Sequence, residues 1–345
     1  MKLRVPILIR LAAAAAALQA SLPMAIAAAQ TPAEFYRGRT IEVGISSTVG
    51  GGYDAHARML ARVMSKYIPG NPAIVPRNID GAGGLRLANL LYNTAPRDGT
   101  SVGTIYRATA FEPLFGNKAA QFDATRFTWI GSASSEVSLC VSWHTSGVAN
   151  FDDMLAKELV VAHSGAGADA YQFSKIINGV LGTRMRLVGG YRGGNEMLLA
   201  LERGEVGGRC GWSWSSVQAT RRDWIANKQV NLLMQLALAK HPDLPAVPLV
   251  VDLAKTEEQR DILKLVFARQ QIAYPFLAPP EVPRDRVEVL RTAFLKAMAD
   301  PELLADARKA RLEIMPVAGD DVQKLVADLY GTPAPVVRKV VDMLK

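Results

Sequence analysis

The sequence predicts an α/β protein built from two domains. Its 345 residues suit two domains, at roughly 100–200 residues for each. Strand-like segments alternate with glycine-rich turns and amphipathic helices, an order that favours a largely parallel sheet covered by helices. The same order starts again past the middle of the chain, near Leu159. We therefore expect two α/β halves of similar construction.

The first half opens with two such units. Apolar residues at alternate positions between Ile41 and Ile45 predict a strand. After a glycine turn, apolar residues from Met59 to Tyr67 recur at three- and four-residue spacing and predict a helix with one apolar face. The second unit has a strand starting at Ile74, the turn DGAGG, and a helix over Leu85–Asn93.

The second half repeats the plan. A strand at Leu159–His163, a glycine turn and a helix over Tyr171–Leu181 form one unit, and a strand at Met185–Val188 with a helix over Asn195–Arg203 forms the next. The helical tail carries apolar faces that need a partner, and we expect it to pack back on the first domain. Further strands are predicted at Ser101–Tyr106, Phe127–Ser134, Val137–Trp143, Val206–Cys210, Leu232–Leu236 and Gln271–Leu277.

Residues 1–29 have the layout of a secretory signal peptide. Basic residues stand at the start, an apolar stretch follows over Leu11–Leu18, and Ala27–Ala29 provides an A-x-A cleavage site. An uncleaved membrane anchor is the alternative, but Gln19 and Pro23 interrupt the apolar stretch before it reaches the length of a span. We expect cleavage near Ala29 and a soluble protein exported to a bacterial periplasm.

Composition narrows the partners. With 49% apolar and 21% charged residues, a wholly disordered chain is excluded. The formal net charge of +8 is dispersed along the chain, whereas nucleic-acid binding normally needs a clustered basic stripe. A mild positive field suits small anions. Cys140 and Cys210 could pair in an oxidising compartment or remain two separate buried thiols, and the sequence leaves both open.

Four turns place glycines between a strand and the start of a helix. They are VGGGYD (49–54), DGAGG (80–84), SGAGADA (164–170) and GYRGGNE (190–196). Glycine lets the backbone approach a ligand closely, and a helix start offers unpaired N–H groups and the positive end of the macrodipole. Such turns can bind anions at the carboxyl ends of strands. Each could also simply reverse the chain, but two in each half favour a shared carboxylate-binding cleft.

Signals for enzymes and metals are weak. The sequence has no G-x-x-x-x-G-K-[ST] and no G-x-S-x-G, and its four histidines lack metal-ligand spacing. Gly165, Gly167 and Ala170 fit a dinucleotide-binding pattern, but no acidic residue follows about 20 residues later. We expect no catalytic residue, no metal and no cofactor. A nucleotide-binding enzyme that uses SGAGADA is the alternative.

Three arginines and one aspartate are candidates for roles in the cleft. Arg107, Arg192 and Arg209 could grip a carboxylate bidentately, or could form surface or interdomain ion pairs. Asp54, at a helix start, is better suited to capping and organising its turn than to contacting an anion, which it would repel.

Several segments resemble one family. GGGYD (50–54), GAGG (81–84), PRDGT (96–100) and the late stretch YPFLAPPEVPRDRVEVLRTAF (274–294) are similar, in this order, to the tripartite tricarboxylate transporter receptors, the extracytoplasmic solute-binding proteins also called Bug receptors. The resemblance covers nearly all of the chain after residue 29. In place of the prolines usual before the triple glycine stand Ser47, Thr48 and Val49, and Asp80 replaces a proline before GAGG.

The resemblance implies a type II periplasmic-binding-protein fold. Two α/β domains would flank a central cleft, joined by two crossing strands near Ser138–His144 and Ala268–Ala278. Domain 1 would span residues 30–142 and 268–345, and domain 2 residues 143–267. Such a monomeric receptor would capture a small organic di- or tricarboxylate by hinge closure and present it to a membrane permease. A receptor for a sensor kinase would have the same site.

Carried over by motif, the ligand-binding turns are Gly50–Asp54, Gly81–Gly84, Ser164–Gly167 and Tyr191–Gly194. The identity of the carboxylate stays open. The candidate ligand-binding residues are Gly50, Gly51, Gly52, Tyr53, Asp54, Gly81, Ala82, Gly83, Gly84, Arg107, Ser164, Gly165, Ala166, Gly167, Tyr171, Tyr191, Arg192, Gly193 and Arg209.

Overall fold

Two mixed β-sheets with helices packed around them carry the fold. The computed structural model describes residues 30–47, 49–165, 168–191 and 193–345, so the expected signal peptide lies outside the described residues. The strands are β1 (Thr40–Ile45), β2 (Ala73–Asn78), β3 (Ser101–Thr104), β4 (Thr128–Ser132), β5 (Ser138–Trp143), β6 (Leu159–Ala162), β7 (Met185–Val188), β8 (Gly208–Ser213), β9 (Val230–Leu236), β10 (Pro275–Ala278) and β11 (Val317–Ala318).

Helices follow most of the strands, as the strand–turn–helix units predict. They are α1 (Pro32–Tyr36), α2 (Gly52–Val63), α3 (Leu85–Asn93), α4 (Phe151–Ala156), α5 (Asp169–Leu181), α6 (Gly194–Glu202), α7 (Trp214–Thr220), α8 (Arg222–Ala226), α9 (Glu257–Phe267), α10 (Arg284–Met298), α11 (Pro301–Ala310), α12 (Gly319–Tyr330) and α13 (Ala334–Leu344). Short 3₁₀ segments lie at Met64–Tyr67, Ala82–Gly84, Thr109–Phe111, Ala124–Arg126, Val250–Leu253 and Ala268–Ile272.

The six-stranded sheet has the order β11-β4-β10-β3-β1-β2, and the five-stranded sheet the order β7-β6-β8-β5-β9. Strands β2, β1 and β3 are parallel, as are β7, β6 and β8. The prediction of largely parallel sheets is correct only for these strands. Strand β10 pairs antiparallel with both β3 and β4 because the chain returns from the second sheet between them.

We call the six-stranded sheet with its helices the first lobe and the five-stranded sheet with its helices the second lobe. Buried apolar side chains hold each lobe: Ile41, Val43 and Ile45 of β1 pack under α2 in the first, and Trp212 lies fully buried in the second. These strand residues face inward at alternate positions, as the period of two predicts. Parallel strands end at one edge of each sheet, so the glycine turns gather there.

Two chain segments cross between the lobes side by side. Residues 133–137 leave β4 for β5, and residues 268–274 return to β10. The Ala133 N–H donates to the carbonyl of Tyr274 at 3.0 Å, and the Glu136 N–H donates to the carbonyl of Gln270 at 2.8 Å. We call these two runs the hinge segments. The first lies just before the expected position, because Ser138–Trp143 is a strand buried inside the second sheet.

The C-terminal helices divide between the lobes. Helices α10 and α12 pack on β4 of the first lobe. Helix α13 instead packs on α5 and α9 of the second lobe, where Lys339 pairs with Glu258. This differs from the expectation that the whole tail returns to the first domain, because the apolar face of α13 finds its partners on α5 and α9.

A disulfide joins Cys140 on β5 to Cys210 on β8, which are neighbouring antiparallel strands. Of the two alternatives open from sequence, the structure has the paired form. Among the helices of the described residues, none combines the length and apolar character that a bilayer crossing requires.

Candidate ligand-binding cleft

A cavity of about 590 Å³ lies between the lobes, within the range of about 300–1,000 Å³ usual for small-molecule sites. Both lobes contribute to it, so a ligand inside would touch both. The lining consists of Tyr53, Ala82, Gly83, Leu85, Tyr106, Arg107, Ala108, Glu112 and Asn117 from the first lobe, Tyr274 from a hinge segment, and Ser164, Ala168, Asp169 and Ser213 from the second lobe.

The turn between β2 and α3 presents backbone to this cavity. Its residues from Gly81 to Gly84 all have positive φ, with φ of 131°, 48°, 62° and 91° in order. Glycine adopts this region without steric cost. Ala82 and Gly83 line the cavity, while the Cβ of any residue replacing Gly84 would lie 2.7 Å from Thr109 Oγ1. The first N–H groups of the helical run that follows lack acceptors within it.

The turn between β1 and α2 is organised by Asp54. Asp54 is 3% exposed, and its carboxylate accepts from the Gly50 N–H at 2.9 Å. It also accepts from Arg58 Nε and Asn78 Nδ2, both at 2.9 Å. Burial alone would raise the pKa of Asp54, but these donors hold it below its ordinary value. Asp54 therefore fastens the turn, with Gly51 as the N-cap of α2.

Three tyrosines form one wall of the cavity. Tyr53 packs edge-on against Tyr106 and Tyr274, with ring centroids 4.8 Å and 5.0 Å apart. The Tyr53 hydroxyl accepts a hydrogen bond from the backbone N–H of Arg107 at 3.0 Å. In the turn between β1 and α2, it is therefore Tyr53, directly after Gly50–Gly52, that lines the cavity.

An ion pair spans the cavity. Arg107 of the first lobe donates through Nε and Nη2 to Asp169 Oδ2 in the second lobe, at 3.1 Å and 2.5 Å. Arg269, from a hinge segment, has its Nη2 3.8 Å from Asp169 Oδ1. Burial would raise the pKa of Asp169, but the two guanidinium groups hold it below its ordinary value. Asp169 therefore stays ionised between two cations.

The turn between β6 and α5 reaches the cavity through Ser164 and Ala168. The Gly165 N–H donates to His163 Nδ1 at 3.1 Å, and the His163 ring packs against Tyr171, with centroids 4.9 Å apart. Tyr171 thus contacts its neighbouring turn and does not line the cavity. The candidates Ala166, Gly167 and Arg192 lie outside the described residues.

Arg209 belongs to strand β8, and its guanidinium lies beside the start of helix α6, outside the residues that line the cavity. It is 8% exposed, and Nη1 donates to the Gly194 carbonyl at 3.3 Å, next to the N-cap Gly193. Its Nε has no hydrogen-bond partner among the described residues, and burial lowers the pKa of the guanidinium to about 10. No carboxylate among the described residues offsets that burial. Nearby Tyr191 packs on the second-lobe core instead of lining the cavity.

Several lining residues carry no motif that could mark them in the sequence. Glu112 and Asn117 come from a connecting loop, and Tyr274 comes from a hinge segment. Asp169 stands inside SGAGADA, where an acid at a helix start was a detectable signal. Within the described residues, no group of three or more His, Cys, Asp or Glu side chains is arranged to hold a metal ion.

No family model matches the chain. A curated relative, the "UPF0065 protein in tcbD-tcbE intergenic region" of a Pseudomonas species, is 26% identical over 288 residues, which cover 81% of this chain and 79% of the relative.

Solved structures share the fold. A TctC solute-binding protein from Polaromonas superposes with a TM-score of 0.67 at 16% identity, covering 88% of this chain and 99% of that one. MatC from Rhodopseudomonas palustris with bound malate gives 0.61 at 19% identity, covering 89% and 99%. An R. palustris protein with adipate gives 0.60 at 16% identity, covering 88% and 97%.

Two α/β lobes joined by paired hinge segments around a cavity define the periplasmic-binding-protein fold, as expected. Within that class, the chain is similar to the tripartite tricarboxylate transporter receptors, and the resemblance that its motifs indicate is confirmed.

Proposed function

We propose that this protein is an exported solute-binding receptor that captures a small organic carboxylate between its lobes and presents it to a membrane permease. The observation that carries the proposal is the cavity lined from both lobes, with the positive-φ turn Gly81–Gly84 on one side. A ligand that contacts both lobes stabilises the closed arrangement over the open one, which is how binding becomes a signal.

The chemistry of the lining supports a carboxylate. Backbone N–H groups at Ala82 and Gly83 can donate to an anion without bringing a counter-charge. A hydrogen bond to a charged group contributes about 1.5–3 kcal/mol net. A few such bonds amount to much of the roughly 8 kcal/mol that a micromolar dissociation constant represents. Malate and adipate, bound by two structural neighbours, are dicarboxylates of suitable size for the cavity.

Arg209 supports an anion-binding role for the second lobe as well. It is a buried cation without a carboxylate partner among the described residues, and its guanidinium lies beside the start of α6. An unpaired buried charge costs several kcal/mol, so an anion reaching that position would be bound favourably. We assign Arg209 and the α6 start as the second-lobe contact for an anionic group of the ligand.

Two measurements test the proposal. Native mass spectrometry of the protein purified without denaturation should reveal a co-purified carboxylic acid. A thermal-denaturation screen of mono-, di- and tricarboxylates should raise the melting temperature for at least one, since ligand at 100 times its dissociation constant adds about 2.7 kcal/mol of stability. A screen without any shift, combined with binding of a nicotinamide cofactor, would favour the nucleotide-binding enzyme instead.

A further inference from the structure

Arg107 has the geometry of a carboxylate receptor, but its receptor edge is already occupied. Its Nε and Nη2 form the pair of donors that grips a carboxylate, and both point at Asp169 Oδ2. The side chains of Arg107 and Asp169 are only 11% and 19% exposed. Water therefore screens this pair far less than it screens a surface ion pair.

Neighbouring residues hold the Arg107–Asp169 ion pair in place. The Arg107 backbone is anchored by the Tyr53 hydroxyl in the first lobe. Arg269 donates through Nη1 to Gln172 Oε1 at 2.7 Å and lies over the Phe173 ring, 4.5 Å from its centroid. Gln172 and Phe173 follow Asp169 on helix α5. The protein thus forms a cationic carboxylate-binding position, and one of its own carboxylates occupies it.

The charges around the cavity have a consequence for the ligand. Among the described lining residues, Arg107 is balanced by Asp169, and Glu112 adds a second carboxylate that accepts from Asn117 Nδ2 at 2.7 Å. An incoming carboxylate beside Arg107 would meet the negative charge of Asp169 at short range. The two residues of the Gly81–Gly84 turn that line the cavity, Ala82 and Gly83, are uncharged, and the neighbouring Asp80 is exposed to solvent outside the lining.

We propose that Asp169 is a specificity-determining residue that occupies Arg107 in place of a ligand carboxylate. The paired Asp169 holds the ligand-free lobes closed and disfavours a second carboxylate on the ligand at this position. One carboxylate then binds at the Ala82–Gly83 turn, and a second carboxylate, where the ligand has one, is directed to Arg209. The part of the ligand near Arg107 is uncharged or donates hydrogen bonds to Asp169. This inference rests on the proposed function.

Asp169→Asn tests the idea because it removes the charge and keeps the shape. Adipate and hexanoate serve as probes, since they have six carbons each and differ by one carboxylate. In titration calorimetry, the variant should shift the ratio of adipate to hexanoate affinity towards adipate by about tenfold or more, as expected for a freed charge-assisted contact. Small-angle scattering of the ligand-free variant should show a larger radius of gyration than the wild type.

Glu112→Gln is the matched control, because it removes the same charge from the same cavity while its contact is with Asn117 and not with Arg107. An equal shift in both variants would mean a general field effect and overturn the proposal, as would an unchanged ratio in Asp169→Asn. Asp169→Ala is the second variant if the first does not fold. If neither probe binds any variant, the carboxylate function fails, and the scattering comparison alone decides whether Asp169 closes the lobes.

Discussion

Replacing Gly83 by alanine separates the binding role of its turn from its structural role. Gly83 has φ of 62° and lines the cavity, and no atom of the described part of the chain lies within 4 Å of the position where a Cβ would stand. The added methyl group would therefore enter the cavity without colliding with the protein. It would occupy the space through which a ligand oxygen reaches the backbone N–H groups at about 2.9 Å.

The two magnitudes differ. An L-residue in the left-handed region costs about 1–2 kcal/mol, and the stiffer unfolded chain returns about 0.4–1 kcal/mol, so the loss of stability should be about 1 kcal/mol. Losing one charge-assisted hydrogen bond of about 1.5–3 kcal/mol should weaken carboxylate binding about ten- to a hundredfold. The substitution should therefore cost more free energy of ligand binding than free energy of unfolding.

The assay pairs thermal denaturation with titration of the carboxylate that gives the largest shift in the screen. Gly182→Ala is the control, because Gly182 has φ of 75°, also has open space at the Cβ position, and ends helix α5 outside the cavity lining. It should match the stability loss and keep full affinity. Wild-type affinity in Gly83→Ala would refute the assignment of this turn as the anion cradle, as would equal losses in both variants.

Three further predictions rest on single features. Arg209→Met should leave the free energy of unfolding unchanged or raise it, because it removes a buried unpaired cation, yet weaken dicarboxylate binding about tenfold in calorimetry; full affinity would contradict the second-lobe assignment. Burial lowers the pKa of His56 to about 4, so the folded state binds a proton at this imidazole only at a lower pH than the unfolded state does. The wild type should lose about 3 kcal/mol relative to His56→Phe as pH falls from 6.5 to 4 in urea titrations; parallel curves would contradict this. The disulfide joins residues 70 positions apart in the sequence. The double variant Cys140→Ala/Cys210→Ala should therefore lower the free energy of unfolding, measured in urea, by about 4 kcal/mol. No change would show that the disulfide does not stabilise the fold.

Local patterns predicted the elements where one physical rule dominates. The helix at Leu85–Asn93 and the strand at Met185–Val188 have the bounds that periodicity gives. The predicted strand Gln271–Leu277 starts too early, because Ala268–Ile272 is a 3₁₀ turn and the strand begins only at Pro275. Here the hinge bonds to residues 133–136 decide the backbone, and no local pattern encodes contacts with a segment so distant in the chain.

The candidate site shows the same limit. The glycine turns can be recognised in the sequence because positive φ restricts the residue type. The Gly81–Gly84 turn does reach the cavity. Arg107 was visible as a candidate, but its pairing with Asp169 depends on how two distant units meet. Trp212 is fully buried in the second-lobe core among apolar neighbours, and residue type alone does not decide between that position and the cavity wall.

The described chain starts on one lobe and finishes on the other. Phe35 and Tyr36 of α1 are buried in the first-lobe core, whereas Met343 of α13 lies beside Gly179 of the second-lobe helix α5. A donor dye attached near residue 32 and an acceptor dye attached near residue 345 would therefore be on different lobes. If the lobes close on a ligand as proposed, energy transfer between the dyes would change on binding, with no label near the ligand site.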